Sequence, residues 1–234
     1  MNIFITGASR GIGAATYDLL KSRGHNVAGH SSRGGGDLIG GELTEADAPR
    51  QVWEQALERL GGRIDVLVNN AGVYEAVADD ASDADWHAGW ERTIRINLYA
   101  AADFCRLAVQ HFRERGGEGR IINVASRAGS RGDSPQHWHY AASKGGMIAM
   151  TKSIARSYAS EGILAFCVSP GFTVSEMTEE YLTGRGGAAI LADIPLGRVA
   201  STVEIAETIR WLAAEAPASA TGTNIDVNGA SYVR

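Results

Sequence analysis

Residues 1–23 read MNIFITGASRGIGAATYDLLKSR, and this stretch decides the fold that the sequence predicts. The apolar run at residues 2–6 predicts a buried strand, the three glycines that follow predict a tight turn, and residues 14–23 predict the helix that leaves it. A strand that delivers glycines to a helix start leaves backbone N–H groups and the positive end of the helix dipole at one point. We therefore expect a nucleotide pyrophosphate to bind there.

The spacing of these glycines is G-x-x-x-G-x-G, which differs from the general dinucleotide pattern G-x-G-x-x-G. Either pattern alone is a weak signal, and the chain has 29 glycines among its 234 residues. Ordinary loop chemistry is therefore the alternative interpretation of the turn. Its position between an apolar strand and a helix favours the functional interpretation.

Strands alternate with helices along the rest of the chain, which is typical of a parallel sheet with right-handed crossovers. We therefore expect an α/β fold, a Rossmann-type doubly wound sheet of about seven parallel strands flanked by helices on both faces. No change of composition divides the chain, so we expect one domain over residues 1–234. Three glycines at residues 34–36 predict a loop instead of a helix between strands two and three, and the acidic residues 73–90 also predict a loop.

Composition and charge exclude several classes of partner. A net charge of −5 with a pI of about 5.7 argues against nucleic acid or an anionic membrane surface. The first strand begins at Asn2 and no apolar run reaches the ~18 residues of a membrane span, so we expect a cytoplasmic protein. Cys105 and Cys167 lack metal-ligand or disulfide spacing and are interpreted as small buried residues.

Tyr140 and Lys144 stand four residues apart on a predicted helix, so their side chains share one face. An ammonium close to a phenol stabilises the phenolate, and we therefore expect the pKa of Tyr140 to fall below its usual value of ~10. A phenol tuned in this way can exchange a proton with a carbonyl oxygen as hydride arrives or leaves. An isolated pair with this spacing is more often an ordinary helix surface.

The motifs together resemble those of the classical short-chain dehydrogenase/reductases, in order and in spacing, over essentially the whole chain. They are the glycine turn at residues 6–13, Asn69-Asn70-Ala71-Gly72, Asn97, Ser126, Tyr140 with Lys144, Pro170-Gly171, and the ending at residues 221–229. The similarity is greatest to reductases of the 3-oxoacyl carrier-protein kind. It implies an oxidoreductase that moves hydride between NADP(H) and a carbonyl or secondary alcohol, in the reductive direction.

The resemblance also implies four catalytic residues. Tyr140 would be the acid/base, and Lys144 would tune it and hold the nicotinamide ribose hydroxyls. Ser126, 14 residues before the tyrosine, would hydrogen-bond the reacting carbonyl oxygen. Asn97 would anchor a water that relays protons from Lys144 to solvent. The alternatives are a strand-end cap for Ser126 and a helix-distorting polar residue for Asn97.

The cofactor-binding residues are expected in six places along the chain, counting Tyr140 and Lys144 as one of them. They are Gly7, Ser9, Arg10, Gly11, Ile12 and Gly13 in the turn; Ser31, Ser32 and Arg33 after strand two; Glu42 and Leu43 after strand three; Asn70, Ala71 and Gly72 after strand four, with Tyr140 and Lys144; and Pro170, Gly171, Thr173 and Ser175 after strand six. Glu42 stands where the family usually has an aspartate, and Ser175 replaces a usual threonine.

Charge at the end of strand two favours NADP(H) over NAD(H), which remains possible. An acidic residue about 20 positions beyond the glycines would accept the ribose hydroxyls of NAD. Ser31 and Ser32 stand there instead, followed by Arg33, and Arg10 lies in the turn. Two guanidinium groups and two hydroxyls suit a 2′-phosphate. The alternative is that either arginine points into solvent.

The substrate region is less specific. His137 and His139 could form a metal pair, but no third ligand is evident and we expect no metal. We expect Trp138 on a pocket wall, and Arg127 or Arg131 available to an acidic substrate, with solvent-facing loop positions as the alternative for both arginines. Residues 172–198 resemble a substrate lid.

The resemblance implies a symmetric homotetramer or homodimer that pairs through helices at residues 92–115 and 140–160. Two other functions are considered. A catalytically silent NAD(P)-binding regulator is disfavoured by the complete catalytic set. An epimerase or dehydratase would need a larger C-terminal substrate region than the 36 residues after Arg198.

Overall fold

The computed structural model describes residues 1–173 and 187–234. Seven strands form one sheet in which every neighbouring pair is parallel, in the order β3-β2-β1-β4-β5-β6-β7. The strands are β1 Asn2–Ile5, β2 Asn26–Ser31, β3 Leu38–Gly40, β4 Val66–Asn69, β5 Gly119–Val124, β6 Ile163–Pro170 and β7 Asn224–Val227. The order is that of the Rossmann fold with one more strand, as the sequence predicts.

Helices lie on both faces of this sheet. They are α1 Gly11–Ser22, α2 Ala48–Arg59, α3 Asp83–Ile94, α4 Ala100–Glu114, α5 Ala128–Arg131, α6 Trp138–Tyr158, α7 Gly187–Ala192 and α8 Thr202–Ala214. A π-helical turn at Arg95–Tyr99 joins α3 to α4, and short 3₁₀ turns occur at Ala159–Glu161 and Ala218–Ala220. None of the helices in the described ranges is long and apolar enough to cross a membrane.

The core has two layers because the side chains of each strand alternate between the faces of the sheet. Phe4 of β1 faces the layer covered by α2 and α4, where its ring meets those of Trp53 and Phe104 edge-on at 6.0 and 5.5 Å. Ile3 and Ile5 face the opposite layer, which α1 and α8 cover. Burial on both faces fixes the register of the sheet, since a slip of one residue would exchange the two layers.

Two sequence expectations about loops have different outcomes. The stretch between β2 and β3 is a loop, as the glycines at residues 34–36 predict. The loop expected over residues 73–90 is wrong in its second half, because α3 begins at Asp83. Ser82 caps this helix by accepting the N–H of Asp85, and two aspartates in the first turn lie favourably at the positive end of the helix dipole. The acidic residues are therefore a helix start.

Candidate active site

The candidate site lies at the edge of the sheet where the parallel strands end. Asn69 of β4 pairs with Asn123 of β5, which pairs with Cys167 of β6, so these three strands finish side by side. The segments that follow them carry most of the residues that the sequence analysis singles out. Chain segments far apart in sequence therefore converge at one edge, where ligands bind in open α/β sheets.

Thr6 holds the glycine turn against the end of β4. Its hydroxyl oxygen accepts the backbone N–H groups of Asn70 and Ala71, both at 3.0 Å. Asn70 returns two bonds, since its Nδ2 donates to the carbonyls of Gly7 at 2.9 Å and Thr6 at 3.2 Å. The expected cofactor residue Asn70 thus uses its side chain to fix the turn, and Thr6 is a positioning residue that the sequence analysis did not assign.

The glycine turn has the geometry of an anion site. Gly7 and Gly11 have left-handed backbone angles, φ +69° and +56°, and a Cβ at Gly13 would collide with the Gly7 carbonyl. Helix α1 begins after Arg10, and among the described residues no side chain caps its start and no acidic residue lies in its first turn. Its first N–H groups are therefore available to a phosphate, and the residues fit a dinucleotide.

The residues expected to bind the cofactor in the glycine turn and after β2 differ in their exposure to solvent. Ser32 and Arg33 are exposed, as are Ser9 and Arg10 in the turn, whereas Ile12 is half-buried. Ser31 is buried and its hydroxyl donates to the Gly34 carbonyl at 3.4 Å within the loop. The Ser31 hydroxyl thus makes a long hydrogen bond within its own loop, and Ser32 and Arg33 are the exposed residues at this strand end.

His30, which the sequence analysis did not assign, links the glycine turn to the segment after β3. It is 2% exposed, and its Nδ1 accepts the Gly7 N–H at 3.4 Å while Nε2 lies 2.8 Å from the Gly41 carbonyl. Burial lowers the pKa of the imidazole, so it is neutral with the proton on Nε2. Of the next two expected residues, Glu42 is exposed, whereas the Leu43 side chain belongs to the core layer under α2.

Tyr140, at the start of α6, and Ser126, after β5, line one cavity of about 570 Å³. The Ser126 hydroxyl lies close enough to the Tyr140 phenol to lower its pKa, against the larger effect of burial. Ser126 Oγ also accepts the Ala128 N–H at 3.1 Å, within the turn that joins β5 to α5. The hydroxyl is therefore held by the backbone that follows the strand while it lines the cavity with Tyr140.

Lys144 lies one turn further along α6 and is buried, with 4% of its surface exposed. Its Nζ donates to the Val124 carbonyl at 2.9 Å, at the last residue of β5. Burial lowers the pKa of the ammonium to about 8, because the charged form loses its water. A Cβ at Gly72 would lie 3.5 Å from this Nζ and 3.3 Å from Asn97 Oδ1. Gly72 thus marks the place where Lys144 and Asn97 approach each other.

Asn97 lies in the π-helical turn between α3 and α4 and is fully buried. Its Oδ1 accepts the Val73 N–H at 2.8 Å, and its Nδ2 donates to the Val73 carbonyl at 3.0 Å and to Ser143 Oγ at 3.2 Å. Ser143 in turn donates to the Tyr140 carbonyl at 2.7 Å. The amide therefore ties the segment after β4 to the start of α6.

The expected lowering of the Tyr140 pKa is wrong in this structure. Burial raises it to about 12, the charge of Asp133 acts in the same direction, and the hydrogen bond from Ser126 opposes them without overcoming them. The Lys144 ammonium lies 5.8 Å from the centre of the phenol ring, and its own hydrogen bond goes to Val124. Tyr140 is therefore a neutral phenol at neutral pH.

The segment after β6 is described only as far as Thr173. Pro170 is the last residue of β6, and Gly171 packs so closely on Asn228 that a Cβ would lie 2.8 Å from the Asn228 Cβ. Thr173 is buried, and its hydroxyl donates to the Gly171 carbonyl at 3.2 Å. Ser175 and the middle of the expected lid at residues 172–198 lie outside the described residues, and the lid's later part includes α7.

An aromatic wall that the sequence analysis missed closes one side of the cavity. Tyr74 stacks on His137, with ring centres 3.9 Å apart, and meets Tyr140 edge-on at 4.7 Å. Trp138, expected on the pocket wall, is instead 50% exposed and packs against Trp86. The signal for Tyr74 was its place two residues after the motif that ends β4.

The two histidines of the candidate metal pair have other partners. His137 Nδ1 lies 2.7 Å from Ser134 Oγ, and His139 Nε2 lies 3.1 Å from the Glu75 carbonyl. Burial lowers the pKa of each imidazole. No group of three or more His, Cys, Asp or Glu within residues 1–173 and 187–234 is arranged to hold a metal ion.

Comparison with known proteins agrees with this geometry. A family model described as enoyl-(acyl carrier protein) reductase matches residues 7–230. The chain is 37% identical to nodulation protein G of Rhizobium sp. (strain N33), over 96% of this chain and 94% of that one. It is 35% identical to 3-oxoacyl-[acyl-carrier-protein] reductase FabG of Escherichia coli (strain K12) and 36% identical to that of Vibrio harveyi, in each case over 98% of this chain and 96% of the relative.

The sheet order, the glycine turn and a match over nearly the whole chain define the class, and the chain belongs to the short-chain dehydrogenase/reductase family. It is an NADP(H)-preferring oxidoreductase that acts on CH–OH and C=O groups. The alternative of a catalytically silent regulator is not favoured.

Replacing Thr6 tests how the glycine turn is held. Thr6→Val keeps the shape of a residue that is 2% exposed but removes the acceptor of two backbone N–H groups. We expect the free energy of unfolding to fall by about 2 kcal/mol, the lower end of the range for two unsatisfied N–H groups at ~1–3 kcal/mol each, since both groups are only partly buried. Urea unfolding measures the change, and Thr6→Ser, which retains the hydroxyl, is the matched control. A Thr6→Val protein as stable as the wild type would contradict this account.

Proposed function

We propose that the protein reduces the carbonyl group of a 3-oxoacyl-type compound with NADPH. The observation that carries the proposal is that Tyr140 and Ser126 line the same cavity, with the buried ammonium of Lys144 5.8 Å from the centre of the phenol ring. The names of the relatives from Escherichia coli and Vibrio harveyi supply the substrate class. The reductive direction is supported by the raised pKa of Tyr140, because a neutral phenol holds the proton that a reduced carbonyl oxygen needs.

The cofactor would bind across the strand ends. The N–H groups at the start of α1 would bind the pyrophosphate, and Arg10, Ser32 and Arg33, all exposed, would surround the 2′-phosphate. The buried Nζ of Lys144, next to Gly72, would donate to the hydroxyls of the nicotinamide ribose. Backbone groups at residues 170–173 would contact the carboxamide.

Catalysis would divide between Tyr140 and Ser126. When bound, NADPH supplies the hydride. Tyr140 would donate its proton to the carbonyl oxygen, and the Ser126 hydroxyl, which lines the same cavity, would orient that oxygen toward it. Ser126 also lowers the pKa of Tyr140 against the larger effect of burial, so it eases the release of the proton.

Lys144 and Asn97 would resupply the proton. With a pKa of about 8, the Lys144 ammonium exchanges protons near neutral pH. Asn97 Oδ1 lies beside the same point at Gly72, where a Cβ would approach both side chains. The Asn97 amide is already bonded to Val73 and Ser143. It would support the proton relay from Lys144 in two ways. The amide positions these segments, and the remaining lone pair of Oδ1 can accept a hydrogen bond from the relay water.

Three further properties belong to the same proposal. The chain would form one domain over residues 1–234, supported by the single sheet that runs from β3 to β7. It would act in the cytoplasm, supported by Cys105 and Cys167, which are buried free thiols. It would assemble as a dimer or tetramer through α4 and α6.

Removing the Tyr140 hydroxyl tests the acid. We expect Tyr140→Phe to lower kcat for carbonyl reduction by about 10²–10⁴-fold, the usual contribution of a positioned general acid. NADPH oxidation at 340 nm with a panel of 3-oxoacyl compounds measures the rate. Tyr158→Phe, at the other end of α6, is the matched control and should retain wild-type activity. Equal rates for wild type and Tyr140→Phe would remove Tyr140 from the mechanism.

Cofactor preference tests the charge at the end of β2. Arg33→Ala should reduce the ratio of kcat/KM for NADPH over NADH by about tenfold, since one charge-assisted bond to the 2′-phosphate is lost from an exposed position. Arg50→Ala, which removes an exposed arginine on α2, should leave the ratio unchanged. An unchanged ratio in Arg33→Ala would show that this arginine does not select the phosphate.

Assembly is tested by sedimentation. The chain has a mass of 24.8 kDa, and we expect a particle of two or four chains at micromolar concentration in analytical ultracentrifugation. A particle of one chain under the same conditions would contradict the proposed dimer or tetramer. The measurement uses the wild-type protein alone, and it also distinguishes the two closed assemblies, since particles of two and four chains differ clearly in mass.

A further inference from the structure

Arg127 is a buried arginine on the wall of the reaction cavity. It directly follows Ser126, is 8% exposed, and lines the same cavity as Ser126 and Tyr140. An arginine stays positively charged at neutral pH, and burying this charge is costly unless an anion accompanies it. Arginine is seldom buried without a partner. The identity of the anion that pairs with Arg127 therefore indicates what kind of ligand the cavity binds.

Within the described residues, the anion at Arg127 is shared. Arg127 Nη1 and Arg131 Nη1 both contact the same atom, Asp193 Oδ2, at 3.3 and 2.7 Å. Arg131 also donates to the Ser231 carbonyl at 3.2 Å. Two guanidinium groups thus share one carboxylate, and the Asp193 side chain is 45% exposed. The three side chains together carry one excess positive charge, and the Asp193 carboxylate between the two guanidinium groups is accessible to solvent.

Arg127 is held in place by its neighbours, but its guanidinium has more N–H donors than hydrogen-bond partners among the described residues. It lies 5.0 Å from the centre of the Phe172 ring, and the backbone N–H of Arg127 donates to the Pro170 carbonyl at 3.0 Å. A guanidinium has five N–H donors, and Asp193 is its one hydrogen-bond partner among residues 1–173 and 187–234. Since Arg127 lines the cavity, a ligand there can reach the remaining donors.

Asp133 also lines the cavity, and its charge opposes this excess. Its Oδ1 accepts the Ser134 N–H at 2.7 Å and the Tyr74 hydroxyl at 3.4 Å. No hydrogen bond joins Asp133 to either arginine in the described part of the chain. Asp133 therefore acts on Arg127 through its charge, whereas Asp193 is the carboxylate that contacts both guanidinium groups in the described part of the chain.

We propose that Arg127, with Arg131, binds a carboxylate carried by the substrate itself, so that the reduced compound is an oxo acid anion. The carboxylate takes the place of Asp193 beside the two guanidinium groups, and the carbonyl then lies toward Ser126 and Tyr140 on the same wall. This inference rests on the proposed carbonyl reduction at this site. It narrows the proposed 3-oxoacyl class to the free acid, because a neutral thioester or ester group cannot replace the negative charge of Asp193 at the two guanidinium groups.

The test compares 3-oxohexanoate with its methyl ester, which has the same carbonyl without the charge. We expect the wild type to prefer the acid in kcat/KM, and Arg127→Met to lower the acid-to-ester ratio by about 10- to 100-fold, as loss of a charge-assisted bond predicts. Asp193→Asn should raise the ratio, because the competing carboxylate is gone. Arg50→Met, outside the cavity, should leave it unchanged.

Two results would overturn the inference while leaving carbonyl reduction intact. One is a wild type that reduces the ester as well as the acid. The other is an acid-to-ester ratio that is the same in the wild type and Arg127→Met, or that does not rise in Asp193→Asn. The Asp193 substitution keeps the test decisive if Arg127→Met does not fold, since Asp193 is half exposed.

Direct binding separates this inference from the proposed reaction. Calorimetric titration of NADPH-loaded Tyr140→Phe with the two probes requires no turnover. At least tenfold tighter binding of 3-oxohexanoate than of its ester would support the carboxylate site even if the wild type reduced neither probe. Equal binding of the two probes would overturn it.

Discussion

Parallel pairing of the strands is the constraint on which the rest of the structure depends. Because all seven strands run in the same direction, the chain leaves β1, β4, β5 and β6 at the same edge. Buried amides reinforce this alignment, since Asn69 Nδ2 donates to Asn123 Oδ1 at 2.9 Å and Asn123 Nδ2 donates to Thr151 Oγ1 on α6 at 2.8 Å. The helix that carries Tyr140 is thereby attached to the strand ends.

Burial at this edge has opposite effects on the two titratable groups of α6. It raises the pKa of Tyr140 to about 12 and lowers that of Lys144 to about 8, because the charged form of each group loses solvation. Both shifts favour neutral side chains. The result is a phenol that retains its proton beside an amine that exchanges one near neutral pH, and the Val124 carbonyl holds the amine in place. This pair suits proton donation better than proton abstraction.

Much of the architecture was predictable because its signals are local. The order of strands and helices, the glycine turn and the loop after β2 follow from periodicity and glycine placement, and the structure has all three. The start of α3 was mistaken for a loop, since Asp83 and Asp85 are polar residues whose role as a helix start depends on the Ser82 cap. The burial of Ser31 beside exposed Ser32 and Arg33 likewise depends on how the loop after β2 folds.

By itself the sequence determined the fold class and the identity of the four candidate catalytic residues, because motif order and spacing are properties of the chain. Only the tertiary structure decided what surrounds them. Three features depend on distances between segments that are remote in sequence. They are the set of groups that line the cavity, the opposite pKa shifts of Tyr140 and Lys144, and the ion pair between Arg127 and Asp193. Burial and electrostatic interaction act through space, so no pattern along the chain contains their magnitude or their sign.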